Sequence, residues 1–173
     1  MTRKAVLLDR DGIINQPIII NGKPFPPSSL SEFELVDSIG VCLDLLRNRG
    51  YLLIIFTNQP DVARGKTRAA EVEGLHEFVR KRLPIDKIYS CYHDNSDNCE
   101  CRKPKPGMIH KAEKDFDLDL SQCFVVGDRW RDIDAGTSAG CMTIFVDYGY
   151  DENLRKKPDY TVNKVLEITN IIQ

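Results

Sequence analysis

Residues Ala5 to Leu8 are apolar without alternation, and the run stops at two carboxylates and a glycine, Asp9-Arg10-Asp11-Gly12. An apolar run lacking period-2 alternation fits a strand buried on both faces, and such strands belong to parallel sheets covered by helices on either side. In these sheets ligands bind beyond the carboxyl ends of the strands. Asp9 and Asp11 are therefore expected in that crevice, with Gly12 turning the backbone away. Two acids so close repel each other unless a positive charge lies among them, and a hard divalent cation on oxygen ligands supplies one. Taken alone, Asp-x-Asp-Gly is equally well an acidic turn after a strand. The rest of the chain has to decide.

Further along, the pattern repeats. Residues 13–31 hold four prolines and no sustained period, which reads as a surface loop, with a small hairpin at Asn21-Gly22, lying across the mouth of the site. From Asp37, apolar residues at 39, 42, 43, 45 and 46 recur at helical spacing and stop at Gly50. Residues 51–56 form a second buried run ending in Thr57-Asn58-Gln59-Pro60. A helical pattern over 69–83, a strand over 85–90, a helix from 108 to 116 and a strand over 123–126 follow, the last ending in Gly127-Asp128-Arg129. A helix from 131 to 139, a strand over 142–146 and a final helical segment around 162–172 complete the chain. This alternation predicts one domain, residues 1–173, built as an α/β, doubly wound, mostly parallel Rossmann-like sheet without a separate cap domain.

Composition excludes several classes. A formal charge of −2, with 42% hydrophobic and 29% charged residues, argues against a general nucleic-acid surface. No run reaches membrane-spanning length, and the first ten residues carry no secretory pattern, so a cytoplasmic location is expected; the chain is also expected to be a monomer. Six cysteines are many for that compartment. Three of them, Cys91, Cys99 and Cys101, crowd with His93 into eleven residues and offer a closed tetrahedral zinc set with no position left for water. Cys42, Cys123 and Cys141 lie singly in apolar segments and read as core filling. His76 and His110 fall within helical patterns and read as packing or surface residues.

Three strand ends thus bear polar groups: Asp9 and Asp11, Thr57 and Asn58, and Asp128 with Asp132 a helical turn later. With the basic pair Arg102-Lys103 they supply anions, a hydroxyl and cations to one pocket, the mixture that phosphoryl transfer requires. The zinc set would pin the loop that delivers Arg102 and Lys103.

The ordered segments Asp9-Arg10-Asp11-Gly12, Thr57-Asn58-Gln59, Arg102-Lys103-Pro104 and Gly127-Asp128-Arg129-x-x-Asp132 resemble the four motifs of the haloacid dehalogenase-like phosphatases. The resemblance implies that Asp9 is the nucleophile forming an aspartyl-phosphate and Asp11 the general acid, then base. Thr57 donates to the phosphoryl group and Lys103 neutralises it. Mg²⁺ is held by Asp9, the main-chain carbonyl of Asp11, and Asp128, while Asp132 supports the metal site or pairs with Lys103. The zinc loop followed by Arg-Lys-Pro-x-Pro-Gly-Met is similar to the D-glycero-D-manno-heptose 1,7-bisphosphate 7-phosphatases and the related histidinol-phosphate phosphatases. Ala63-Arg64-Gly65-Lys66 leans towards the former, which act in surface-polysaccharide (lipopolysaccharide) precursor synthesis. The chain departs from that pattern at Pro60-Asp61 and in the proline-rich loop from Pro17 to Ser29. Asn58, Gln59, Arg64, Arg102 and Arg129 are then expected around a small phosphorylated metabolite. Histidinol phosphate is the runner-up substrate, and a phospho-accepting, zinc-stabilised interaction domain is the alternative outside enzymology. Asp11 speaks against the latter, because an acceptor without turnover needs no second acid.

Overall fold

A computed structural model describes residues 2–173. Strand β1 (Ala5–Leu8) is buried throughout, as its uninterrupted apolar sequence requires. A hairpin follows, β2 (Ile18–Ile20) and β3 (Lys23–Phe25), turned at Asn21 and Gly22 with φ of 52° and 74°. Two successive left-handed residues are what a tight two-residue hairpin needs, and Asn-Gly supplies them at least cost. Helix α1 (Ile39–Asn48), strand β4 (Leu52–Asn58), helix α2 (Ala69–Arg82) and strand β5 (Lys87–Cys91) come next. Then come helix α3 (Gly107–Phe116), strand β6 (Phe124–Gly127), helix α4 (Trp130–Ala139), strand β7 (Met142–Val146), strand β8 (Tyr160–Val162) and the short helix α5 (Ile168–Ile171).

The six-stranded sheet has the order β5-β4-β1-β6-β7-β8, and every pairing in it is parallel. Alternate residues of each strand feed opposite cores, because successive side chains point to opposite faces. Val6, Leu8, Leu53, Ile55 and Val126 join residues of α1, α2 and α5 on one side. Ala5, Leu7, Ile54, Phe56 and Val125 join residues of α3 and α4 on the other. Helix α1 shows the logic locally. Ile39, Cys42, Leu43 and Leu46 form its buried face, each aliphatic side chain contributing about 1.5–3 kcal/mol. Among the described residues no helix is long and apolar enough to cross a membrane.

The expected final helix over 162–172 needs correction. Its first residue belongs to β8, a 3₁₀ turn occupies Val165–Glu167, and only Ile168–Ile171 is α-helical. Strand β8 pairs in parallel with β7, and just before it Asp159 accepts from the Thr143 backbone N–H at 2.7 Å and from the Thr143 hydroxyl at 2.8 Å. The order β4-β1-β6 sets the carboxyl ends of three strands side by side, and the functional groups named above lie there.

Candidate active site and zinc loop

Asp9 leaves β1, Asp128 leaves β6, and Asp132 lies in the first turn of α4, where its carboxylate caps the helix by accepting from the Arg129 backbone N–H at 3.1 Å. The three carboxylates offer oxygens that all lie within 4.8 Å of one another, and all three residues are buried. One cation stands among them. Lys103 Nζ is 2.8 Å from Asp9 Oδ1 and 2.7 Å from Asp132 Oδ1, and it donates to the Phe56 carbonyl at 3.0 Å. The Asp132 contact is an ion pair rather than an aligned hydrogen bond, since its Oδ1 has no directed partner.

Three carboxylates and one ammonium leave two negative charges over, which a divalent cation would balance. Electrostatics agrees. Burial, then Asp132, push the Asp9 carboxyl up to about 7 against the opposing pull of Lys103. Burial and the same acidic neighbours raise Asp128 well above the usual carboxylate range. For Lys103 burial works the other way, but Asp132 and Asp9 outweigh it and hold the ammonium charged. Asp128 Oδ1 is buried without a hydrogen-bond partner, an expensive state for a carboxylate oxygen unless a ligand completes it. These residues fit a Mg²⁺ site.

Gly12 sits against this cluster with φ of +92°, and a Cβ built on it would lie 2.2 Å from Asp128 Oδ2. The backbone of the β1 loop is thereby admitted beside the Asp128 carboxylate. The Tyr148 hydroxyl donates to the Gly12 carbonyl at 2.6 Å and fixes the turn from outside.

Thr57 is buried at the end of β4, and its oxygen accepts from Gln59 Nε2 at 2.9 Å, which leaves its own proton free to donate. The same Gln59 nitrogen reaches Asp11 Oδ2 at 2.9 Å, so Gln59 joins the hydroxyl to the second aspartate. Asn58 lines the cleft, but both ends of its amide are engaged by Lys103, with Nδ2 donating to the Lys103 carbonyl at 3.0 Å and Oδ1 accepting from its N–H at 3.1 Å. Asn58 therefore also clamps the backbone that presents the ammonium.

The cleft above these groups has a volume of about 320 Å³, and the hairpin contributes Pro24 and Phe25 to one wall, as expected of a loop across the mouth. The cleft is also basic. Arg64, Lys66, Arg102, Arg129 and Arg131 line it, with Asp61 among them. Arg64 is not a free cation: Asp94 accepts from Nε at 2.8 Å and Nη2 at 2.7 Å, and Asp61 from Nη1 at 3.3 Å. Arg102 is aimed by Asn95 Oδ1 at 2.8 Å and by the His93 carbonyl at 3.2 Å. Arg129 is held by Glu152 at 2.9 Å.

Cys91, His93, Cys99 and Cys101 converge at the end of β5. Sulfur–sulfur separations are 3.2, 3.5 and 3.7 Å, and His93 Nδ1 is 3.3 Å from Cys101 Sγ and 3.6 Å from Cys91 Sγ. A tetrahedron with zinc–sulfur bonds of about 2.3 Å has edges of roughly 3.8 Å, so the four groups stand near zinc-binding positions through Nδ1 of the histidine. Burial opposes thiolate formation throughout the cluster, pushing Cys91 up to about 12 and Cys101 upward, while at Cys99 hydrogen bonds from Cys101 and the Arg102 backbone outweigh it and bring the thiol down to about 7. Gly107, at the start of α3, comes so near the loop that a Cβ there would sit 2.1 Å from the Glu100 carbonyl. Cys42, Cys123 and Cys141 are buried in the cores, and His110 is a half-exposed surface residue beside Glu113.

Two side chains escaped the sequence reading as functional groups. Arg10 is fully buried, pairing through its guanidinium with Asp11 at 3.0 Å, and His76, expected only to pack, is buried 3.3 Å from Arg10 Nη1. The available signal was that an arginine following a strand buried on both faces must find partners inside.

Comparison with known proteins agrees with this geometry. The HAD-hydrolase-like family model matches residues 100–168. The chain is 39% identical over 151 residues to D-glycero-alpha-D-manno-heptose-1,7-bisphosphate 7-phosphatase of Campylobacter jejuni, covering 84% of this chain and 83% of the relative. It is 33% identical to the D-glycero-beta-D-manno-heptose-1,7-bisphosphate 7-phosphatase of Haemophilus ducreyi, covering 97% of each. Among solved structures it is similar to the D,D-heptose 1,7-bisphosphate phosphatase of B. bronchiseptica complexed with magnesium and phosphate, at a TM-score of 0.79 and 25% identity, covering 99% of this chain and 98% of that one. The chain belongs to the heptose-1,7-bisphosphate 7-phosphatase family of HAD-like phosphoric monoester hydrolases.

Proposed function

We propose that this chain, as one monomeric domain over residues 1–173, removes the 7-phosphate from a D-glycero-D-manno-heptose 1,7-bisphosphate in the cytoplasm. A reducing compartment suits a loop that depends on thiolates. The observation that carries the reading is the meeting of Asp9 with Lys103 and Asp128, with Asp11 on the same cleft and Thr57 buried beneath it and joined to Asp11 through Gln59. A nucleophile, a proton carrier, a hydroxyl donor and a fixed cation thus meet at one strand edge.

Asp9 attacks phosphorus as the bond to the sugar's C7 oxygen breaks, and Asp11 gives its proton to that oxygen. Water then attacks the aspartyl-phosphate, Asp11 takes the proton, and the bond to Asp9 breaks, returning both carboxyls to their starting state. Lys103 and the Thr57 hydroxyl neutralise and orient the phosphoryl oxygens. Mg²⁺, when held by Asp9, Asp128 and the main-chain carbonyl of Asp11, supplies the remaining positive charge. Asp132 keeps Lys103 aimed at Asp9. The basic rim at Arg102, Arg129 and Lys66 suits a second phosphate better than the cationic amine of histidinol phosphate, and Gln59 bridges Thr57 to Asp11 within the pocket.

The test is phosphate release with Mg²⁺ from both anomers of heptose 1,7-bisphosphate and from histidinol phosphate, on zinc-loaded protein. A marked kcat/KM preference for one heptose anomer supports the substrate. Equal, weak rates on all three refute it and point to the hairpin wall and Pro60-Asp61 as the source of a different preference.

A further inference from the structure

The chemistry above leaves the buried guanidinium of Arg10 unused. Arg10 has no exposed surface, and charged side chains are almost never fully buried without partners. Its Nε donates to Asp11 Oδ1 at 3.2 Å, and its Nη2 to Oδ1 at 3.0 Å and Oδ2 at 3.1 Å. Its remaining arm, Nη1, is 3.3 Å from His76 Nε2. A guanidinium only donates, so Nε2 of this imidazole must accept, and the ring is neutral with its proton on Nδ1. That proton faces Glu73 Oε1 at 3.3 Å, and the same oxygen accepts from the Tyr92 hydroxyl at 2.6 Å. Tyr92 lies between two zinc ligands, Cys91 and His93. A continuous chain of polar contacts therefore runs from the zinc loop through α2 to Asp11. Asn15 completes the cage from the other side, its Nδ2 donating to Asp11 Oδ1 at 3.0 Å.

We propose that Arg10, buttressed by neutral His76, is a positioning residue for Asp11. It fixes the carboxyl in the one orientation from which the same group can give a proton to the leaving oxygen and later take one from water. Packing alone would not call for this arrangement, because an apolar side chain fills a space between β1 and α2 without the cost of burying a guanidinium. The proposal rests on Asp11 being the acid and base.

The experiment compares Arg10→Met, Arg10→Lys, His76→Leu, His76→Gln and Asp11→Asn in the zinc- and Mg²⁺-loaded full chain, on the sugar bisphosphate and on 4-nitrophenyl phosphate. The nitrophenolate departs without a proton, so only the second half-reaction then needs Asp11. Arg10→Met is expected to lower kcat on the sugar substrate roughly 10²-fold with little change in KM, and Arg10→Lys to recover part of the loss. On 4-nitrophenyl phosphate the same variant should release about one equivalent of nitrophenolate in a burst, because aspartyl-phosphate forms normally and is hydrolysed slowly. His76→Gln can still accept from Arg10 and donate to Glu73, and should retain clearly more kcat than His76→Leu. Equal loss on both substrates without a burst, in protein with full zinc content, overturns the proposal. Should Arg10→Met not fold, the His76 pair decides alone, and equal kcat in its two members overturns the proposal. Undiminished turnover in Asp11→Asn refutes the acid–base reading itself, whereas an inactive Asp11→Asn beside unaffected Arg10 variants refutes only the positioning role.

Discussion

The zinc loop and the acidic cluster are assembled in opposite ways. Cys91, His93, Cys99 and Cys101 come from a single stretch at the end of β5, where backbone between ligands has little regular structure of its own. Asp9 and Asp128 come from distant parts of the chain and meet because β1 and β6 are hydrogen-bonded neighbours. The first set needs its metal to hold a conformation, while the second is already shaped by a parallel sheet and needs a cation for charge balance. Loss of zinc should therefore disturb structure and reach chemistry through Lys103. Loss of Mg²⁺ should stop chemistry and leave structure in place.

The sharpest way to break that contrast is Asp9→Asn. Turnover should fall by at least about 10⁴-fold while zinc content and the melting profile stay near those of the unaltered protein. Zinc loss in this variant would mean that the two centres are not separable. Asp11→Asn should come next, lowering turnover roughly 10²–10⁴-fold with Mg²⁺ affinity largely kept, because the metal contact proposed there is a main-chain carbonyl. Titration calorimetry with Mg²⁺ and steady-state rates check both halves of that statement. Cys99→Ala tests the other centre. It should abolish stoichiometric zinc, render residues 92–106 sensitive to protease and lower turnover roughly 10- to 100-fold through displacement of Lys103. Full zinc content with unchanged activity would contradict the structural role.

The last effect is on stability rather than turnover and concerns the contacts that join the two regions. Burial, with the nearby Arg10 charge, lowers the His76 pKa from 6.5 to about 4. The unfolded chain binds this proton between those values and the folded chain does not, so stability rises with pH across that window. The contribution is fully present above pH 6.5 and is lost on acidification towards pH 4, about 3 kcal/mol in all. Urea melts of the protein and of His76→Gln across this range measure it; parallel pH slopes would show that His76 is not neutral in the fold.

The same contrast explains what was legible in the sequence. The apolar runs at 5–8, 52–56 and 123–126 identify their strands because burial on both faces leaves no polar positions to blur the signal. The cysteine spacing is legible for the same reason: its ligands are local. Strand β8 was not, being three residues long with two of them exposed and its place given by pairing with β7. Arg10 was hidden in plain view between two motif aspartates. Its partner His76 sits on α2, and only the fold brings that helix to β1. Asn58 shows the converse, a motif residue on the cleft whose clamp on the Lys103 backbone nothing in its own neighbourhood of the sequence announces.

Gly12 carries one further consequence. Because a Cβ at that position would meet Asp128 Oδ2 at 2.2 Å, and because φ of +92° already disfavours any L side chain, even alanine must push the carboxylate aside. A map of tolerated variants would then score position 12 as strictly as position 128, although residue 12 has no side chain to donate, accept or coordinate. Here the requirement is inherited as empty space, and a census of contacting groups in the active site would pass over it.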